Sequence, residues 1–212
     1  MIYNEDTAQR MAEFLLKVKA VKINVKEPFT WASGLKSPVY CDNRITLSYP
    51  AIRTYIRQQF SSLIKDEFGN IDLIAGIATG GIPHGVLVAQ ELGLPFAYVR
   101  TGKKDHGLAN QIEGVIETGQ SVVLIEDLIS TGGSSFSALQ VVREKEAVVK
   151  GLLAIFSYGF VNSCDKFYET ECRVFSLTDY PTLIKIALEN NYVRQADIES
   201  LNTWHLAPEK WG

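Results

Sequence analysis

Two adjacent acids followed by a run of small hydroxyl and glycine residues carry the strongest chemical signal in this chain. In VVLIEDLISTGGSS, Glu126 and Asp127 close an apolar run, and Leu128 and Ile129 lead into Ser130, Thr131, Gly132, Gly133 and Ser134. Carboxylates accept hydrogen bonds from vicinal hydroxyls. A Gly, Ser and Thr-rich turn that opens a helix presents free main-chain N–H groups and a positive dipole end to a phosphate. A sugar phosphate needs both at this spacing, its 2- and 3-hydroxyls on the acids and its 5-phosphate on residues 130–134. Two solvated acids at a strand end would leave the five small residues without a reason. A shorter echo, Thr79-Gly80-Gly81, follows another apolar run and suits a second phosphate group. Glycines there also serve simply to make a tight strand-to-helix connection, and both readings stay open. Neither stretch is a Walker A loop or a GxGxxG turn.

Other chemistry is thinly represented. Residues 98–107, YVRTGKKDHG, form a basic, glycine-flanked segment without an apolar stripe, which composition alone reads as a solvated loop. His84 and His205 lack the partner spacing of a metal site or a triad and read as structural. No GxSxG elbow, HExxH or paired CxxC occurs, so hydrolase and zinc readings have no support.

The elements that must position these groups follow from periodicity. Met11, Phe14, Leu15 and Val18 recur at helical spacing behind the capping candidates Asn4 and Asp6, predicting a helix near 6–20. Residues 21–47 mix β-branched and aromatic residues with Pro and Gly, the pattern of a small irregular lobe of short strands. A second helix is expected over about 50–68, capped by Ser48, striped by Ile52, Ile56, Phe60 and Leu63, and ended by Gly69. Apolar runs then recur at 72–77, 95–99, 121–125, 152–156 and 173–177, separated by helical segments such as 82–92 and 134–145. Such near-continuous hydrophobicity marks strands covered by helices on both faces, hence an α/β fold with a doubly wound parallel sheet. Closing helices are expected at 183–188 and 196–201. In open sheets of this kind ligands collect at the carboxyl ends of the strands, where both glycine turns fall.

Composition sets the outer limits. With 212 residues, 46% hydrophobic and 21% charged, the chain fits a single domain over 1–212, an N-terminal helix and hood at about 1–47 and a core at about 48–212. A net charge of −3 gives no global footprint for nucleic acid. Cys41, Cys164 and Cys172 are odd in number and lack metal-ligand spacing, as expected of free thiols in a reducing compartment. Neither a signal core nor a run of ~18 apolar residues is present, so a cytoplasmic protein without a membrane role is expected.

The stretch VVLIEDLISTGGSS resembles the phosphoribosyl pyrophosphate signature of type I phosphoribosyltransferases, acid pair, hydroxyl-rich loop and preceding strand all in order. The resemblance implies that family's fold, a five-stranded mainly parallel sheet flanked by helices with a small N-terminal hood. It also implies Mg²⁺, held mainly by substrate oxygens with no direct protein ligand. The basic segment R-x-x-x-K-D-H-G is similar to the catalytic loop of the orotate phosphoribosyltransferases. Carried over by position, Arg100, Lys104 and His106 contact pyrophosphate across a homodimer, each loop serving the neighbouring subunit's site. That family's usual basic residue after the arginine is Thr101 here, and Lys103 can substitute. The stretch FTWASGLKSP at 29–38 resembles the hood motif FTxxSGxxSP of the orotate enzymes.

Some members carry Lys at the positions of Ala32 and Gly80 and an Arg near Tyr158 and Gly159, and this chain lacks all three. The orotate carboxylate then needs another cation, with Lys36 and Arg44 as candidates beside Ser130 and Tyr40. The resemblance covers nearly the whole chain. It implies transfer of a phosphoribosyl group to orotate, with Lys104, Asp127 and Glu126 as the catalytic set and Thr79 and Gly80 completing the phosphoribosyl pyrophosphate site. A transferase for another base and a non-catalytic sensor of the sugar pyrophosphate are the alternatives.

Overall fold

The computed structural model describes residues 1–100 and 111–211. Helix α1 (Glu5–Lys17) opens the chain, and its cap is Asn4, whose side chain accepts the Thr7 N–H, rather than Asp6, which lies inside the first turn. The hood follows as two antiparallel ribbons. Strand β1 (Val21–Ile23) pairs with β4 (Val39–Cys41), and β2 (Phe29–Thr30) pairs with β3 (Lys36–Ser37). A 3₁₀ turn, Asn43–Ser48, joins the hood to α2 (Pro50–Glu67). Ser48, expected to cap α2, ends that 3₁₀ turn instead; the residue before the helix is Tyr49, which makes no side-chain cap, and Pro50 supplies the helical φ.

The core then alternates. Strand β5 (Leu73–Ile77) leads to α3 (Gly81–Leu92), β6 (Phe96–Val99), β7 (Ile112–Glu113), β8 (Ser121–Ile129), α4 (Gly133–Arg143), β9 (Val148–Ser157), α5 (Val161–Glu169) and β10 (Val174–Asp179). Helices α6 (Tyr180–Glu189) and α7 (Ile198–Leu206) close the chain, α6 capped by Asp179 through the Thr182 N–H. The sheet order is β10-β9-β8-β5-β6-β7. Five strands run parallel, as expected; β7 adds a two-residue antiparallel edge, too short to leave a period in the sequence.

Alternate strand residues feed two cores. Ile74, Val123, Ile125, Leu153, Ile155, Phe175 and Leu177 pack with α1, α2 and α6, while Leu73, Ala75, Val122, Leu124, Leu152 and Ala154 pack with α4. Burying each of the Val, Leu, Ile and Phe side chains contributes about 1.5–3 kcal/mol, which holds strands of this length in place. From β5 the chain moves outward to β6 and then returns to place β8 on the other side of β5. The reversal lies between β5 and β8, the point where open sheets leave a crevice at their carboxyl ends.

Candidate active site

Strands β5 and β8 pair in parallel with Gly76 opposite Ile125, so their carboxyl ends release two glycine turns side by side. The turns touch. A Cβ added to Gly80 would overlap the Asp127 carboxyl group, and one added to Gly81 would overlap the Ile125 carbonyl oxygen. Only glycine lets the first turn lie against the acid pair. Gly80 and Gly132 immediately precede α3 and α4, and neither helix start has a side-chain cap. The first amides of each helix therefore face the crevice without intrahelical acceptors. Thr131, Gly133 and Ser134 are exposed, whereas Gly132 is buried in a left-handed conformation at φ 80°, with Phe136 and Ser163 packed beneath it.

The acids sit deeper than expected. The sequence places them at the end of a strand, but β8 continues to Ile129, so Glu126, Asp127, Leu128 and Ile129 all belong to it. Ile129, which leads into the loop, is buried in the α4-side core. Glu126 is 4% exposed; its carboxylate accepts the Asp127 N–H at 3.1 Å and the Ser134 hydroxyl at 3.2 Å. Burial, reinforced by the Asp127 charge, pushes the Glu126 carboxyl well above the usual carboxylate range. Burial also raises Asp127, against hydrogen bonding from Glu126 and the pull of the Arg44 charge. Two such carboxyls titrate as a unit, with the proton affinity of both raised by burial. The Asp127 carbonyl accepts an N–H of the buried Asn43 side chain at 2.5 Å, which ties the hood's exit to the acid pair. Sequence reading passed over Asn43, since an amide in a turn carries no periodic signal.

Beside Asp127 a cavity of 220 Å³ opens under the hood. Trp31, Ala32, Tyr40 and Cys41 line it from the hood, Leu128 and Ser130 from the end of β8, and Tyr158 from beyond β9. Ser130 and Tyr40, expected at the base, stand in this wall. Lys36 and Arg44 do not; the Lys36 ammonium donates to the Thr30 hydroxyl at 2.8 Å, and the Arg44 guanidinium grips Asp42 at 2.7 and 2.9 Å. A larger cavity, 920 Å³, runs along β10 under α5 and is lined by neither acid nor either glycine turn.

Of the basic residues in that segment only Arg100 is described. It follows β6, its amide donates to Gln111 at 2.7 Å and its guanidinium meets Glu113 at 3.4 Å. Lys103, Lys104 and His106 lie outside the described residues. His84 is 1% exposed with neither ring nitrogen partnered among the described residues, and burial, aided by the Arg53 charge, lowers its pKa to about 4. His205 shares a 2.5 Å hydrogen bond with the Tyr158 carbonyl and stacks on Tyr180. Among the described residues no group of three or more His, Cys, Asp and Glu side chains could hold a metal ion.

Comparison with known proteins agrees with this geometry. Residues 45–159 match the phosphoribosyl transferase domain family. The orotate phosphoribosyltransferase of Listeria monocytogenes is 50% identical over 204 residues, covering 96% of this chain and 98% of that protein. Among solved structures, the orotate phosphoribosyltransferase of Aeropyrum pernix superposes with a TM-score of 0.76 at 26% identity, over 87% of this chain and 99% of that one. Leishmania donovani UMP synthase shares the fold, with a TM-score of 0.77 at 24% identity; the match covers 92% of this chain but only 42% of the synthase. Two glycine turns pressed against a buried acid pair, with a hooded cavity alongside, thus come with near full-length likeness to one group of enzymes, and the chain belongs to the orotate phosphoribosyltransferase family.

Proposed function

We propose that the chain transfers the 5-phosphoribosyl group of 5-phosphoribosyl 1-pyrophosphate to orotate, giving orotidine 5′-monophosphate and pyrophosphate in the formation of UMP. The observation that carries this reading is the contact of Gly80 with Asp127, which brings the first glycine turn against the acid pair; it supports a crevice with phosphate on the turns and ribose on the acids. Glu126 and Asp127 hold the ribose 2- and 3-hydroxyls, the amides of residues 131–134 hold the 5-phosphate, and Thr79 and Gly80 face the pyrophosphate. The base enters the cavity under the hood, against Ser130 and Tyr40.

As the bond from the anomeric carbon to pyrophosphate breaks, positive charge grows on the ribose and negative charge on the leaving group. Catalysis is then largely electrostatic positioning. The acid pair faces the cationic carbon, and Arg100, Lys103, Lys104 and His106 neutralise pyrophosphate, reaching the site of the neighbouring subunit in a homodimer. Mg²⁺, held mainly by the ligand's own oxygens with Glu126 and Asp127 beside the ribose, would offset the charge of pyrophosphate. We place the enzyme in the cytoplasm, a reading supported by three unpaired cysteines and by the lack, among the described residues, of any helix long and apolar enough to cross a membrane.

Loss of orotate absorbance with the sugar pyrophosphate and Mg²⁺, run beside hypoxanthine and uracil, tests the reading. Orotate should be consumed and the other bases spared; consumption of another base, or binding of the sugar pyrophosphate without loss of orotate, would overturn it. Lys104→Ala should lower turnover by ~10² to 10³ with an unchanged melting temperature, and near wild-type turnover would remove Lys104 from the mechanism.

A further inference from the structure

The cavity under the hood is lined by no Lys, Arg or His side chain among the described residues. Among the described lining residues, the donors that could meet an anionic base there are uncharged. Three donors nearby are crowded onto one acceptor. The Val39 carbonyl receives the Ser37 hydroxyl at 2.6 Å, the Trp31 indole N–H at 3.2 Å and the Tyr158 hydroxyl at 3.3 Å. A carbonyl oxygen has two lone pairs, so one of the three is surplus.

The surplus donor can be identified. Ser37 makes the shortest bond and does not line the cavity. Trp31 lines it, but the direction of an indole N–H is fixed by the ring, and this ring is held against Tyr158 at 5.1 Å and Trp204 at 5.9 Å. Tyr158 also lines it, and a phenolic hydrogen can be redirected by rotation about one bond without moving the ring. That ring is fixed: it is 1% exposed and stacked on Phe160 at 5.4 Å. If the hydroxyl turns away, the Val39 carbonyl keeps two donors.

On the reading of this cavity as the base site, we propose that the Tyr158 hydroxyl is a switchable donor that leaves the Val39 carbonyl for an acceptor oxygen of the bound base, and so helps to set base specificity. Burial pushes the Tyr158 hydroxyl well above its ordinary range, so it remains a donor at any working pH.

The test is Tyr158→Phe, which keeps the ring and removes the donor. The expected result is a rise of about tenfold in KM for orotate, the loss of a hydrogen bond to a charged acceptor, with KM for the sugar pyrophosphate and kcat within about twofold. The melting temperature should stay within about 2 °C of wild type, because Val39 is still satisfied. An unchanged KM for orotate would overturn the proposal. So would a parallel rise in both KM values or a fall in melting temperature, either of which would mark Tyr158 as a packing residue. A wild-type protein that consumes no orotate would instead remove the base-site reading, an outcome separable from any behaviour of the variant.

Discussion

At the scale of single residues, Glu126 shows a conflict between stability and chemistry. Its carboxyl is almost fully buried, next to another acid, and among the described residues only the Ser134 hydroxyl and one amide support its charge. Burial raises its affinity for a proton in the folded chain above that in the unfolded chain. Between the ordinary carboxylate range and the raised value the folded state therefore binds more protons, and stability falls as pH rises through that window. Glu126→Gln removes the charge but keeps the shape. Urea unfolding at about pH 5 and about pH 8 should show a smaller loss of stability for the variant than for wild type, with the variant more stable at the higher pH by on the order of 1 kcal/mol. Its turnover should fall by roughly 10²-fold. Equal pH slopes would mean that the acid is charged and satisfied in the free protein. The acid pair was legible in the sequence because adjacent acids beside a glycine turn are uncommon chemistry. Asn43 and Tyr158 were not, since their importance depends on chain segments 84 and 119 residues away.

At the scale of elements, the crevice depends on how closely β5's turn approaches β8. Neighbouring glycines there predict different failures. Gly80→Ala pushes its Cβ into a carboxyl group that can rotate, so turnover should drop by about 10²-fold while the protein still folds. Gly81→Ala pushes against the Ile125 carbonyl in the middle of the sheet, which cannot yield, and should cost about 1–3 kcal/mol or more in urea unfolding. Equal effects of the two on stability would contradict the contact. Strand and helix order was legible because β5, β6, β8, β9 and β10 are apolar runs, with helical periods after β5, β8, β9 and β10. The ends were less so. β8 runs on past its apolar stretch into the two acids, because the ladder with β9, where Glu126 lies opposite Ala154 and Ile129 opposite Ser157, outweighs the poor strand preference of Asp. The Ser48 cap failed for a related reason: the chain was already turning in 3₁₀ geometry when it reached that residue.

At the scale of the whole molecule, the hood is held to the sheet by the C-terminal helix. The Trp204 indole N–H donates to the Lys36 carbonyl at 3.0 Å, and its ring, fully buried, meets Trp31, Tyr158, Phe160 and Tyr180. Hood and core should therefore melt in one calorimetric transition. Trp204→Ala should lower stability by about 3–5 kcal/mol and raise KM for orotate, since the cavity wall loses its backing. A separate early transition in wild type would show the hood to be an independent unit. The sequence named the hood motif and the closing helix but could not join them, because 168 residues separate Trp204 from Lys36. The continuation of β8 through the acids has one more consequence. The main chain beneath both carboxyls is ordered by sheet pairing before any sugar arrives. The acids are thus preorganised, and the configurational entropy lost in forming the complex falls mainly on the incoming ribose rather than on the strand that receives it.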